Sequence, residues 1–172
     1  VLALRALASA QGEENAPPAR PNVVIFLADD LGYGDIGVHG CRDIPTPSID
    51  SIAREGVRCT SGYVTSPRCA PSRCGLLTGR YPQRFGCELD AERGLPPEET
   101  TLPQLLAPAG YATGLVGKWH LGKADEDHPN ARGFAEFFVF LGGLNPYFPR
   151  GTDEFDPKIL RNHAPAQGKG FL

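Results

Sequence analysis

Residues 23–28 read VVIFLA, six apolar residues in a row, and stop at a pair of carboxylates, Asp29 and Asp30. A run this short, and rich in β-branched residues, reads as a strand buried on both faces, the pattern of a parallel sheet. The adjoining stretch narrows the choice further. Residues 29–47 carry Gly32, Gly34, Gly37, Gly40, Pro45 and Pro47, so the strand opens into a long loop. A loop of that length inside a compact domain is usually functional.

Downstream signals continue the alternation. Thr46 followed by Pro47 marks a helix start, and the helix should run to Glu55 and stop at Gly56. Residues 57–64 read as a second strand. Residues 71–78 read as a helix ended by Gly79, and 101–109 as another ended by Gly110. Strands are expected at 111–116 and 136–141, and no element is expected beyond Asn145. Strands alternating with helices imply an α/β layer fold with a mostly parallel sheet flanked by helices. In such sheets ligands bind beyond the carboxyl ends of the strands. Asp29 and Asp30 follow one expected strand, and Lys118, Trp119 and His120 follow another.

Composition excludes little and supports an ordinary globular domain: 41% hydrophobic and 22% charged residues over 172 positions. A net charge of −3 gives no electrostatic case for nucleic acid or an acidic membrane surface. No apolar run approaches the ~18 residues of a membrane span. The chain has no Met, so it is expected to be trimmed or a fragment. Residues 1–10 (VLALRALASA) are largely apolar and end in a small-x-small pattern, which reads as the tail of an export signal. On this reading 1–20 form a leader and linker, 21–148 the folded domain and 149–172 an irregular continuation. Five cysteines, at 41, 59, 69, 74 and 87, leave at least one without an intrachain disulfide partner. None forms the C-x-x-C pair of a zinc site.

Gly32-x-Gly34-x-x-Gly37 matches a dinucleotide fingerprint by letters, yet no helix is expected to open on these glycines, so the pyrophosphate has no N-terminus to meet. Asp29 and Asp30 are hard oxygen donors suited to a divalent cation. Residues 66–80 read SPRCAPSRCGLLTGR. With Pro71 at the start of a helix, Cys69 lies just before its N-terminus, a position that favours an anion. Arg73, one turn on, reaches the same place with a fork of donors that suits oxyanions.

The run Cys69-x-Pro71-Ser72-Arg73, continued by Leu76-Leu77-Thr78-Gly79-Arg80, resembles the sulfatase signature. Residues 110–120 (GYATGLVGKWH) resemble the second motif of that family, and residues 29–35 (DDLGYGD) its opening. The resemblance covers about residues 21–148. It departs from the family at Arg68 and Cys74, where a neutral and a small residue are usual; a thiol at Cys74 would offer Cys69 a competing disulfide partner.

The resemblance implies an alkaline-phosphatase-like α/β fold, truncated here, and hydrolysis of sulfate esters. Cys69 would be oxidised to formylglycine by a maturation enzyme, and one hydroxyl of its hydrate would attack sulfur while the other later expels sulfate. Asp29, Asp30 and the oxidised Cys69 would bind one Ca2+. Arg73 would hold the hydrate and add positive charge, Lys118 would bind a sulfate oxygen or the hydrate, and His120 would contact the second hydroxyl and assist its deprotonation. The substrate would be a small-molecule or carbohydrate sulfate ester and the compartment an exported one. Family members supply a further Asp-Asn metal pair, a second His and a second Lys from segments absent here, so this chain alone is expected to be inactive. His128 and His163 match no motif and read as surface residues. The alternatives are a phosphatase or phosphonate hydrolase on the same fold, or an inactive anion-binding fragment.

Overall fold

The computed structural model describes residues 2–7, 20–88, 94–146 and 159–166. The chain divides into two compact units, Val1–Tyr63 and Val64–Leu172.

In the first unit, strand β1 (Leu2–Leu7) pairs antiparallel with β2 (Asn22–Leu27), Leu2 lying opposite Leu27 and Leu7 opposite Asn22. The strand at 22–27 was expected from its apolar run; its setting differs from expectation. β2 is neither parallel nor buried, and Phe26 is 70% exposed. An apolar run states only that a strand requires cover, while its partner and cover come from elsewhere in the chain. Residues 2–7 belong to the stretch read as a leader; 8–19 lie outside the described residues, as do 149–158 and 167–172 of the expected continuation.

The glycine-rich loop folds as two 3-10 turns, Tyr33–Asp35 and Gly37–His39. Its amides point to side chains of its own unit. Gly32 N–H donates to Asp35 Oδ2 at 2.7 Å, Gly37 N–H to Thr46 Oγ1 at 2.8 Å and Val38 N–H to Asp50 Oδ1 at 2.7 Å. With those amides committed and no helix opening on the glycines, the loop is not a phosphate cradle. Helix α1 (Pro47–Glu55) keeps the limits set by its local signals, with Thr46 as N-cap and Gly56 as C-cap. The strand expected at 57–64 does not form, and Val57 and Tyr63 are exposed. Its β-formers have no partner strand among the described residues.

The second unit is built around helix α2 (Cys69–Thr78), capped by Gly79 in the left-handed conformation (φ 66°), whose N–H reaches Gly75 O at 2.9 Å. The helix begins two residues earlier than expected, because Pro71 occupies its third position rather than its first. Helix α3 (Leu102–Leu106) is shorter than expected; its N-terminus is closed by Thr101 N–H donating to Gln104 Oε1 at 2.9 Å. Strands β3 (Gly114–Lys118) and β4 (Glu136–Phe140) pair in parallel, Gly114 opposite Glu136 and Lys118 opposite Phe140. Two short strands unforeseen in the sequence extend the sheet: β5 (Ile159–Arg161) antiparallel to β4, and β6 (Ala164–Pro165) antiparallel to β5. The result is a mixed sheet of order β3-β4-β5-β6 with helices, within the expected α/β class.

The core of this unit gathers Ala70, Cys74, Cys87, Leu95, Trp119, Leu121, Phe137 and Val139. Cys74 and Cys87 form a disulfide inside it. The thiol feared as a competitor of Cys69 is therefore already bonded, and Cys69 is a free, half-buried thiol. Small residues on the inner face of α2 allow the close approach. Gly75 lies so near Thr65 that a Cβ would overlap the Thr65 side chain. Gly75→Ala is therefore expected to destabilise the protein by about 1–3 kcal/mol through overpacking, and Gly75→Ala with Thr65→Ala to recover only part of the loss, because the Cβ at position 65 would still lie 2.9 Å away. Denaturant unfolding of the full-length protein measures both, and an unaffected single variant would contradict the packing described.

Candidate active site

The carboxyl end of β2 delivers Asp29 and Asp30, both exposed. Asp30 has φ 55°, in the left-handed region. Asp tolerates that conformation better than most residues, but it still costs roughly 1–2 kcal/mol relative to an extended backbone. The pair offers hard oxygen donors of the kind a calcium or magnesium ion selects.

The second unit assembles the other four residues. Cys69 is the first residue of α2 and Arg73 stands one turn along, half-buried. Arg73 Nη1 donates to the carbonyl of Lys118 at 2.7 Å. That bond ties the first turns of the helix to the last residue of β3. The parallel ladder then continues past the strand: Trp119 N–H donates to Phe140 O and His120 N–H to Leu141 O, each at 3.1 Å. Trp119 is 2% exposed and anchors the segment, its Nε1 donating to Asp127 O at 2.9 Å and its ring meeting Phe134 edge-on. A buried Trp between Lys118 and His120 locks the backbone from which both side chains project.

His120 also has positive φ, 58°. Its ring packs against Gly143, where a Cβ would come within 2.6 Å of Cε1 and Nε2. Sequence reasoning missed Gly143; the Gly142-Gly143 pair past β4 was its only visible signal. Burial raises the pKa of Asp127, with the neighbouring Glu126 adding to the effect, and burial lowers that of Arg132. Arg132 donates to the carbonyls of Pro96 and Glu99 at 3.0 and 2.8 Å and so braces the 96–99 turn.

Cys69 at the first position of α2, with Arg73 one turn on and hydrogen-bonded to the backbone of Lys118, combines a thiol and a cation at a helix start. A sequence profile of the Sulfatase family matches residues 21–155. The chain belongs to the sulfatase family. All six candidate residues of this sulfatase chain lie inside the matched region. It is 45% identical over 137 residues to steryl-sulfatase of Rattus norvegicus, covering 70% of this chain and 24% of that protein. It is 41% identical over 154 residues to N-acetylgalactosamine-6-sulfatase of Sus scrofa, covering 83% and 29%. Among solved structures it is similar to Ps i-CgsB, with TM-score 0.77 and 35% identity over 83% of this chain and 36% of that one. The fold expectation of an alkaline-phosphatase-like α/β class stands on that likeness. The sulfatase chain spans about a quarter of the length of the curated relatives it matches.

Gly143→Ala in the full-length protein is expected to swing the His120 imidazole aside while costing under about 1 kcal/mol, since a side-chain end yields more readily than backbone. NMR resonances of the His120 ring unchanged by the substitution would contradict the contact.

Proposed function

We propose that the full-length protein is a sulfuric ester hydrolase whose nucleophile is formylglycine made from Cys69. The observation that supports the reading is the Arg73–Lys118 hydrogen bond, which ties the helix that begins at Cys69 to the end of the strand that leads into Trp119 and His120. The hydrate of formylglycine supplies two hydroxyls on one carbon, one to attack sulfur and one whose deprotonation releases sulfate. Asp29, Asp30 and the oxidised side chain at position 69 would hold one Ca2+, which when bound supplies positive charge to the sulfate oxygens. The donor set is consistent with that choice: carboxylate and hydroxyl oxygens suit calcium, whereas an unmodified thiolate would not.

The remaining roles belong to the chain's own groups. Arg73 directs one N–H to the Lys118 carbonyl, which restrains its guanidinium, and its remaining donors would stabilise charge developing at position 69. The Lys118 ammonium binds a sulfate oxygen. His120, held by the ladder and by Gly143, takes the proton of the second hydroxyl. The relatives' names pair one with a steryl sulfate and another with a sugar sulfate, so small-molecule and carbohydrate esters both remain within the proposal. A maturation enzyme must oxidise Cys69. The Cys74–Cys87 disulfide favours an oxidising, exported compartment. No helix among the described residues is long and apolar enough to cross a membrane.

Three outcomes are expected with the full-length protein co-expressed with the maturation system. Peptide mass spectrometry finds formylglycine at position 69, and Cys69→Ala abolishes turnover of a chromogenic aryl sulfate. Arg73→Lys keeps the charge but loses the fork, and lowers kcat by about 10²–10³-fold. The 172-residue chain alone turns over no aryl sulfate with added calcium, since the acid that protonates the leaving alcohol, worth about 10²–10⁴ in rate, lies outside it. Faster cleavage of the matched phosphate ester would favour a phosphatase instead, and equal turnover by fragment and full-length protein would refute the incompleteness of the site.

A further inference from the structure

Away from these residues, the second unit holds a cluster that the proposed reaction does not use. Asp125, His128 and His163 each place a ligand atom within 4.8 Å of the other two. They come from two segments: the 3-10 turn Asp125–Asp127 with the residue after it, and the tight turn between β5 and β6. The sequence read both histidines as surface residues. His163 is exposed, but His128 is 6% exposed, because its ring is covered edge-on by Phe137 of β4.

His128 is the informative member. Its Nε2 lies 3.3 Å from the carbonyl of Lys123, where only an N–H can bond. In that tautomer Nδ1 carries a lone pair. Nδ1 is buried and has no hydrogen-bond partner among the described residues. A buried acceptor left unpaired is unfavourable, and a metal ion is a natural occupant for such a lone pair. The arrangement is also the one metal-binding imidazoles adopt, with one nitrogen donating to a backbone carbonyl and the other ligating.

The opposing histidine is placed by backbone, not by chance. Asn162 adopts φ 52°, its N–H donates to Phe137 O at 2.9 Å, and its side-chain Oδ1 accepts from Phe137 N–H at 2.9 Å. This pair of hydrogen bonds to β4 fixes the turn, and the His163 ring stacks on that of His128 with centroids 5.4 Å apart and planes 13° from parallel. Phe137 meets both rings edge-on. Asp125 and His163 are both exposed and can turn to close the ligand separations to those of a tetrahedral ion, whose bonds are near 2.0–2.2 Å.

We propose that Asp125, His128 and His163 bind a zinc ion, separate from the calcium expected at Asp29 and Asp30. Two imidazoles and one carboxylate suit Zn2+ and discriminate against calcium and magnesium, which demand oxygen. Water fills the fourth position. The ion ties the β5–β6 turn to the 125–128 segment and so pins the far edge of the sheet beyond β4.

The test uses full-length protein stripped of metal, reloaded with excess calcium, and dialysed against Zn2+. Elemental analysis is expected to find one more zinc per chain in the parent than in His163→Ala or Asp125→Asn, with zinc affinity at least 10-fold weaker in each variant. Both substitutions fall on exposed turn residues, so each variant should fold, His163→Ala with a lower zinc-free Tm for its lost ring contacts, and added zinc should raise Tm in the parent only. Equal zinc content and an equal zinc-induced Tm rise in parent and variants would overturn the proposal and mark any bound zinc as adventitious. This readout is independent of sulfatase turnover.

Discussion

The hydrogen bond from Arg73 to the Lys118 carbonyl is the constraint on which the reactive edge depends. It joins two elements 45 residues apart in sequence, and it can form only because α2 lies close against the sheet. That closeness comes from the residues facing inward. Ala70, Cys74 and Gly75 are small and buried, and the Cys74–Cys87 disulfide holds the helix to the segment after it. With larger residues there, the helix would stand off and the guanidinium would fall short. Packing of apolar and sulfur atoms thus sets the position of a polar contact, and the polar contact sets the angle between the helix start and the strand end.

The parts legible in the sequence are those whose cause is local. Thr46, Pro47 and Gly56 fix both ends of α1 without help from the rest of the chain. Gly79 ends α2 for the same reason, since its left-handed conformation is a property of one residue. The family motifs were legible too, because each is a short run of fixed residue types, and the whole of 21–155 matches the sulfatase family. What failed was decided at a distance. The stretch 57–64 has no partner strand among the described residues and forms no strand. β5 and β6 are three and two residues long, and exist because β4 offers an open edge to pair with. Nothing local could announce them. His128 is buried by Phe137, a neighbour further along the chain and across a turn, and the pairing of Cys74 with Cys87 follows from the core that surrounds them.

The backbone carries a related message. Three non-glycine residues among those described have positive φ: Asp30, His120 and Asn162. Each lies just beyond the end of a strand, where the chain must turn sharply off the sheet. Glycine would turn there at no steric cost but would supply no side chain. Asp, His and Asn are among the residues that enter the left-handed region most readily, and each has a polar group to use once there. For Asn162 that use is visible, because its side chain caps β4 and seats His163. For His120 the turn carries the imidazole off the ladder and against Gly143. Strained residues of this kind persist when surrounding structure over-determines them, and they concentrate at functional sites. Asp30 shares this conformation at the turn that follows β2.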